Sequence, residues 1–320
     1  MLDSFNRDID YMRVSITDRC NLRCGYCMPS EFTHIAHDDI LRYEEILRAC
    51  EIMASTGIKI IRVTGGEPLT RKGCVNFIGR LKSIPGIERV TMTTNAILLE
   101  QYIDELVVCG LDGLNISLDS LNPKTYERIT GKDELCTVLA SLRKALNVGL
   151  GIKINCVIMK NLNDDDVLPI VRMAETMPVD IRFIELMPTM WGRRFEGVTG
   201  EEIFSILQGE YPDLTLDLLK RGSGPAKYYN SSSLMGSIGL INAVSGHICS
   251  DCNRLRLTSE GFLKLCLNFD KGLDLRKMLR GGASDIEIRD AVATAIREKP
   301  KQYNFNSGSV GIERMSNIGG

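Results

Sequence analysis

The sequence predicts an α/β protein, a parallel sheet of six strand–helix units curled around a polar chamber, followed by a region of different character. Three observations carry this. Short β-branched runs alternate with amphipathic helical stretches six times before about residue 210. Several of those runs keep a polar face opposite an apolar one, where a fully buried parallel strand reads as near-continuous apolar. After about residue 210 the rhythm breaks, which divides the chain into a barrel-like part, 1–210, and a C-terminal part, 211–320.

The strand-like runs are 12–17, 58–66, 89–95, 113–119, 151–159 and 180–187, mostly bounded by Gly, Pro or Asp. In the first, Arg13, Ser15 and Thr17 share one face and Val14 and Ile16 the other. In the second, Arg62 and Thr64 oppose Ile61 and Val63. In the fourth, Asn115, Ser117 and Asp119 oppose Leu114, Ile116 and Leu118. A polar face repeated on several strands suggests a lined chamber, wider and wetter than a closed eight-strand core, the alternative being a set of satisfied strand-end polar residues. Between the strands, 42–57 has apolar residues at helical spacing and stops at Gly57. Similar patterns cover roughly 71–84, 97–109, 136–148, 164–177 and 200–209. Residues 220–239 are rich in Gly and Ser and read as loops. Residues 253–267 alternate around Ser259-Glu260-Gly261, a hairpin pattern, and a last helix is expected near 284–298.

A net charge of −2 supplies no basic field, which argues against a nucleic-acid binder. No apolar run approaches a membrane span, and the N-terminus lacks the basic-then-apolar layout of a signal peptide. The expected location is the cytoplasm, where thiols stay reduced. Of eleven cysteines, Cys50, Cys74, Cys109, Cys136 and Cys156 stand singly in apolar stretches, each read as a small buried hydrophobe. The other six form two clusters.

Cys20, Cys24 and Cys27 follow the first strand as C-x3-C-x2-C, at the carboxyl end where α/β folds place their chemistry. Thiolates select soft metals, so zinc and iron–sulfur clusters are the candidates. Structural zinc wants four closed ligands, and here only His34 or His37 lies near enough to be a fourth. Three thiolates suit a [4Fe–4S] cluster with one iron open. With Tyr26 before the last cysteine, the motif resembles the signature of the radical S-adenosylmethionine (SAM) superfamily. That resemblance implies that the open iron chelates SAM, whose cleavage yields a 5′-deoxyadenosyl radical. It also gives roles to "TGGEP" (64–68), where Gly65, Gly66 and Glu67 would meet the cofactor's amino group, and to Thr94, Ser117 and Met187 as further SAM contacts. Ala96 stands where the superfamily often has glycine.

Cys249, Cys252 and Cys266 form a second set, C-x2-C-x13-C, again with three thiols. His247 would complete a Cys3His zinc site, so zinc stays open on spacing alone. The two clusters together, with "NRLRLT" (253–258) inside the second and a closing Gly-Gly, resemble the GTP 3′,8-cyclase family of molybdenum cofactor biosynthesis over about residues 10–320. The resemblance implies an incomplete six-unit (βα) barrel, closed by a C-terminal α+β region that carries a second [4Fe–4S] cluster whose free iron holds the guanine. It implies triphosphate contacts from Arg13, Arg62, Lys160, Arg182, Arg254 and Arg256. Arg13, Arg254 and Arg256, with Gly319 and Gly320 at the end of the tail, would serve the cyclisation itself. In that reaction the radical takes the ribose 3′ hydrogen, C3′ bonds guanine C8, and reduction gives 3′,8-cyclo-7,8-dihydro-GTP.

The implied partners are GTP, a cyclic pyranopterin monophosphate synthase that takes the product, and an electron donor such as flavodoxin or ferredoxin. Homodimerisation stays open, and neither nucleic acid nor membrane is expected. The chain departs from the family at Ile60, which replaces a lysine, at Tyr303 and Asn304, which replace histidines, and in the loop 187–195. Two other readings remain: a radical enzyme that modifies a peptide, and a zinc-stabilised binding module without catalysis.

Overall fold

A computed structural model of the chain describes residues 1–28, 33–219, 221–246, 248–269 and 271–303. The six expected strands are β1 (Tyr11–Ser15), β2 (Ile60–Thr64), β3 (Arg89–Thr94), β4 (Leu114–Ser117), β5 (Ile152–Ile158) and β6 (Val179–Glu185). They pair in parallel and in sequence order. The connecting helices are α1 (Tyr43–Ser55), α2 (Cys74–Lys82), α3 (Leu99–Val108), α4 (Pro123–Thr130), α5 (Leu135–Asn147) and α6 (Val167–Thr176), with α7 (Gly200–Glu210) after β6. Val14, Val63, Ile116 and Ile154 join one contiguous apolar cluster with the helices. The opposite strand face carries the polar residues, so the expected parity holds.

Two helices are not expected from the sequence, α4 and, in the C-terminal region, Leu275–Arg280; α4 is the one that supports the first cysteine loop. Its signals are local: the Asn122 side chain accepts from the Lys124 and Thr125 amides at 3.0 and 3.2 Å, and Pro123 opens the first turn.

The C-terminal region adds strands to both edges of the six. On the β6 side come β7 (Thr215–Asp217), β8 (Lys227–Asn230) and β9 (Ile238–Ile241); on the β1 side come β10 (Arg254–Leu257), β11 (Phe262–Lys264) and β12 (Gly272–Asp274). Helices α8 (Leu275–Arg280) and α9 (Asp285–Arg297) follow, and α9 starts from a capping box between Ser284 and Glu287. This corrects the loop reading of 220–239, because β8 lies within it and β9 begins there. β8 pairs with its neighbours β7 and β9, whereas β9 also pairs in parallel with the remote β6, Ile181 opposite Ile238. The β10–β11 hairpin forms as expected, turning at Gly261 with φ +87°. Cys50, Cys74 and Cys156 are buried as expected; Cys109 is half-buried, and Cys136 is exposed on the outer side of α5.

Candidate active site

The first cysteine loop is fastened from below and from the side. Gly66 donates its amide to the Thr17 carbonyl at 2.7 Å and Glu67 to that of Arg19 at 2.8 Å. A Cβ at Gly66 would stand 2.3 Å from the Arg19 carbonyl oxygen, so only glycine lets the two loops lie this close. From the side, the Arg23 and Gly25 amides donate to the Thr130 and Ile129 carbonyls at the end of α4, at 2.9 and 3.0 Å.

Glu67, buried, accepts from the Leu69 amide (3.1 Å), the Thr94 hydroxyl (2.8 Å) and the Asn95 amide (2.7 Å). Its carboxylate thus joins the ends of β2 and β3, and burial raises its pKa to about 7. Tyr26 donates its hydroxyl to Asp119 at 2.8 Å, and the Val157 amide donates to the same carboxylate at 2.8 Å. Burial lifts Asp119 to about 6. The thiols nearby are also pushed up. Burial takes Cys20 to about 11 and, with Cys20 and Asp119 adding to it, Cys27 to about 12.

The second set is carried by the crossover from β9 to β10, which holds Cys249 and Cys252, and by the residues just after β11, which hold Cys266. Burial raises the Cys252 thiol, but the charges of Arg254 and Lys299 outweigh it and bring the pKa down to about 7. Cys266 is raised by burial.

Both sets line one cavity of about 950 Å³, at the top of the roughly 300–1,000 Å³ range of ligand pockets. Arg13, Arg254, Arg256, Lys264, Lys299 and Lys301 bring positive charge to its wall. The register explains the crowding, since Lys264, Arg256, Arg13 and Arg62 stand side by side on β11, β10, β1 and β2. Burial, then the charges of Arg13 and Arg254, push Arg256 well below its ordinary value, and burial with Arg13 and Arg182 takes Arg62 to about 9. Guanidinium groups held this close in a buried place call for a multiply charged anion. Arg182 Nε and Asn155 Oδ1 are buried there without a hydrogen-bond partner.

Of the residues singled out in the sequence, the six cysteines, Tyr26, Gly66, Glu67, Thr94, Ser117, Met187, Arg13, Arg254 and Arg256 all reach the cavity wall. Arg62 and Arg182 stand behind it. Arg62 lies over the Tyr11 ring at 5.4 Å and Arg182 donates to Asn115 Oδ1. Lys160 is not brought in: its Nζ sits 2.9 Å from Glu196 and 3.5 Å from Glu202, beside a smaller depression. His247, Asn304, Gly319 and Gly320 lie outside the described residues. Sequence reasoning gave no role to Asn95, Lys264 or Lys299, all of which line the cavity.

The thiol sets fit iron–sulfur groups by donor chemistry. All six thiols are free and half-buried around the cavity. Soft thiolate donors of this kind select iron–sulfur groups or zinc over hard cations.

Residues 14–174 match the radical SAM superfamily, and residues 179–305 match the family described as Molybdenum Cofactor Synthesis C. A GTP 3′,8-cyclase of Clostridium perfringens is 44% identical over 95% of both chains, and one of Heliobacterium modesticaldum is 43% identical over the whole of both. Among solved structures, Streptococcus suis SuiB bound to S-adenosylmethionine has the same fold. The TM-score is 0.67 at 13% identity, over 98% of this chain and 72% of that one.

Proposed function

The chain belongs to the GTP 3′,8-cyclases within the radical SAM superfamily, and on that premise we propose that it converts GTP to 3′,8-cyclo-7,8-dihydro-GTP, the first step of molybdenum cofactor biosynthesis. The observation that carries the reading is one cavity with two three-thiol corners and arginines in its wall. Membership in the superfamily implies an iron–sulfur cluster and SAM, which supply a 5′-deoxyadenosyl radical when bound. Cys20, Cys24 and Cys27 hold that cluster. Gly65 and Gly66 bring backbone to the cofactor, Ser117 and Thr94 meet its polar groups, Tyr26 closes the loop through Asp119, and Met187 covers the adenine. Glu67 already accepts three hydrogen bonds. That leaves about one of its four lone-pair sites for an ammonium group, so it mainly fixes the wall.

At the other corner Cys249, Cys252 and Cys266 hold the second [4Fe–4S] cluster against the guanine. Arg13, Arg254 and Arg256 take the triphosphate, with Arg62 and Arg182 behind them. Lys160 joins only by leaving Glu196 and Glu202. The Gly319–Gly320 tail completes the cyclisation site. The chain works in a reducing cytoplasm, draws electrons from a flavodoxin- or ferredoxin-type donor, and passes its product to a cyclic pyranopterin monophosphate synthase.

The test uses anaerobically reconstituted protein, SAM, a strong reductant and GTP deuterated at the ribose 3′ carbon. The expected result is 5′-deoxyadenosine carrying deuterium. Unlabelled deoxyadenosine would move the reaction to another substrate, a peptide foremost. None at all from iron-replete protein would overturn the radical assignment.

A further inference from the structure

Two buried cations beside the second thiol set have no part in the reaction as described so far. Arg7 is 7% exposed and Lys299 2%. Arg7 Nη1 donates to the Cys249 carbonyl at 2.9 Å and to that of Lys301 at 3.1 Å; its Nη2 donates to the Pro300 carbonyl at 2.8 Å. Asp3 anchors the guanidinium from behind, 2.6 Å from Nε. Lys299 Nζ donates to the Arg254 carbonyl at 2.9 Å and to that of Leu265. These carbonyls belong to Cys249 itself, to the residue two places after Cys252, and to the residue just before Cys266. Every segment that carries a thiol of the second set is therefore tied by one of two cations. The ties come from far along the chain, one from the N-terminal arm and one from just beyond α9.

A buried lysine whose hydrogen bonds go to neutral carbonyls keeps an uncompensated charge, which is costly unless an anion stands near. Lys299 lines the same cavity as Cys252 and Cys266, and cluster-bound thiolates there would supply that anion. We infer that Arg7 and Lys299 are positioning residues of the second cluster, holding its three ligand segments in place and setting its charge environment. The inference rests on the reading that this set binds a cluster. A cation beside a thiolate-bound iron–sulfur group strengthens its binding and raises its reduction potential, since the reduced state carries the extra negative charge.

The experiment compares wild type, K299M and K299R as full-length protein after anaerobic reconstitution. It measures iron and sulfide per chain and the midpoint potential of each cluster by EPR, with SAM added to identify the first by its altered signal. K299M is expected to lose about 10-fold or more in affinity for the second cluster, and the clusters it retains should have a more negative midpoint potential. K299R, which keeps the charge, should restore both. A purely structural lysine would weaken folding without moving that potential. Two clusters in wild type and in K299M, at equal affinity and potential, would overturn the inference alone. A single cluster in wild type would overturn the cluster reading and the inference with it. Should K299M fail to accumulate as folded protein, R7Q is read by the same criteria.

Discussion

Cys27 and Cys252 are thiols of the same cavity in opposite company. Around Cys27 the influences are burial, Cys20 and Asp119, and they push its pKa to about 12. Around Cys252 burial is outweighed by Arg254 and Lys299, and the pKa falls to about 7. The carboxylates Glu67 and Asp119 stand at the first corner, the guanidinium row at the second. The difference teaches that the cavity has a direction. A ligand with an ammonium group suits the first end and a polyanion the second, so two ligands can be sorted by charge before any shape is read.

The harshest way to break the symmetry of the two corners is to remove one thiol from each. Cys24→Ser should abolish deoxyadenosine formation, while Cys266→Ser should still cleave some SAM without cyclising GTP. Full cyclisation by the Cys266 variant would remove the second corner from the reaction.

A gentler comparison alkylates cluster-free protein near pH 7. The gap between about 7 for Cys252 and about 11 for Cys20 gives a thiolate ratio of about 10⁴. The lower nucleophilicity of the more acidic thiolate returns about two powers of ten, leaving Cys252 about 100-fold faster. Its rate should level off above about pH 7 while that of Cys20 still climbs, read by mass spectrometry of the labelled peptides. Equal rates would deny the electrostatic contrast.

At the cationic end, Arg256→Ala should raise the KM for GTP by about 10- to 100-fold, the worth of a charge-assisted hydrogen bond to phosphate. The same change should cancel the rise in Tm that GTP gives cluster-free protein.

The smallest effect belongs to Asp119→Asn. Folding raises the Asp119 pKa to about 6 from an ordinary value near 3.9, so the folded state binds the extra proton between those values. The stability that Asp119 contributes is then fully present below about pH 4 and is lost as pH rises through about 6. The variant should lose about 2 kcal/mol of the pH dependence between about pH 4.5 and pH 7.5, measured by urea unfolding of cluster-free protein.

The parts of this molecule that could be read from sequence are those fixed by near neighbours. Strand parity located the chamber wall because Ser117 and Asp119 must share a face whatever else the chain does. The cysteine spacings located both corners. By contrast β9 is four residues long and exists because β6 offers an open parallel edge, a fact no local window contains. Lys160 follows a strand as a phosphate ligand would, yet its ammonium group goes to Glu196 and Glu202 on a later loop and helix. Lys299 precedes a proline and has no apolar periodicity around it to signal burial, although it is among the most buried side chains of the described residues. Asp119 was visible on the polar face, but its bond to Tyr26 joins residues 93 apart.

The crossover from β9 to β10 also has a consequence for how the molecule is made. Synthesis from the N-terminus delivers all six core strands before either covering strand exists. Until β9 and β10 emerge, both rims of the nascent sheet offer unpaired amides and carbonyls to any neighbouring chain. The single segment that seals the two rims is also the one that brings Cys249 and Cys252, so the newborn chain gains its protection from clumping and two of the three thiols of its second corner in the same event.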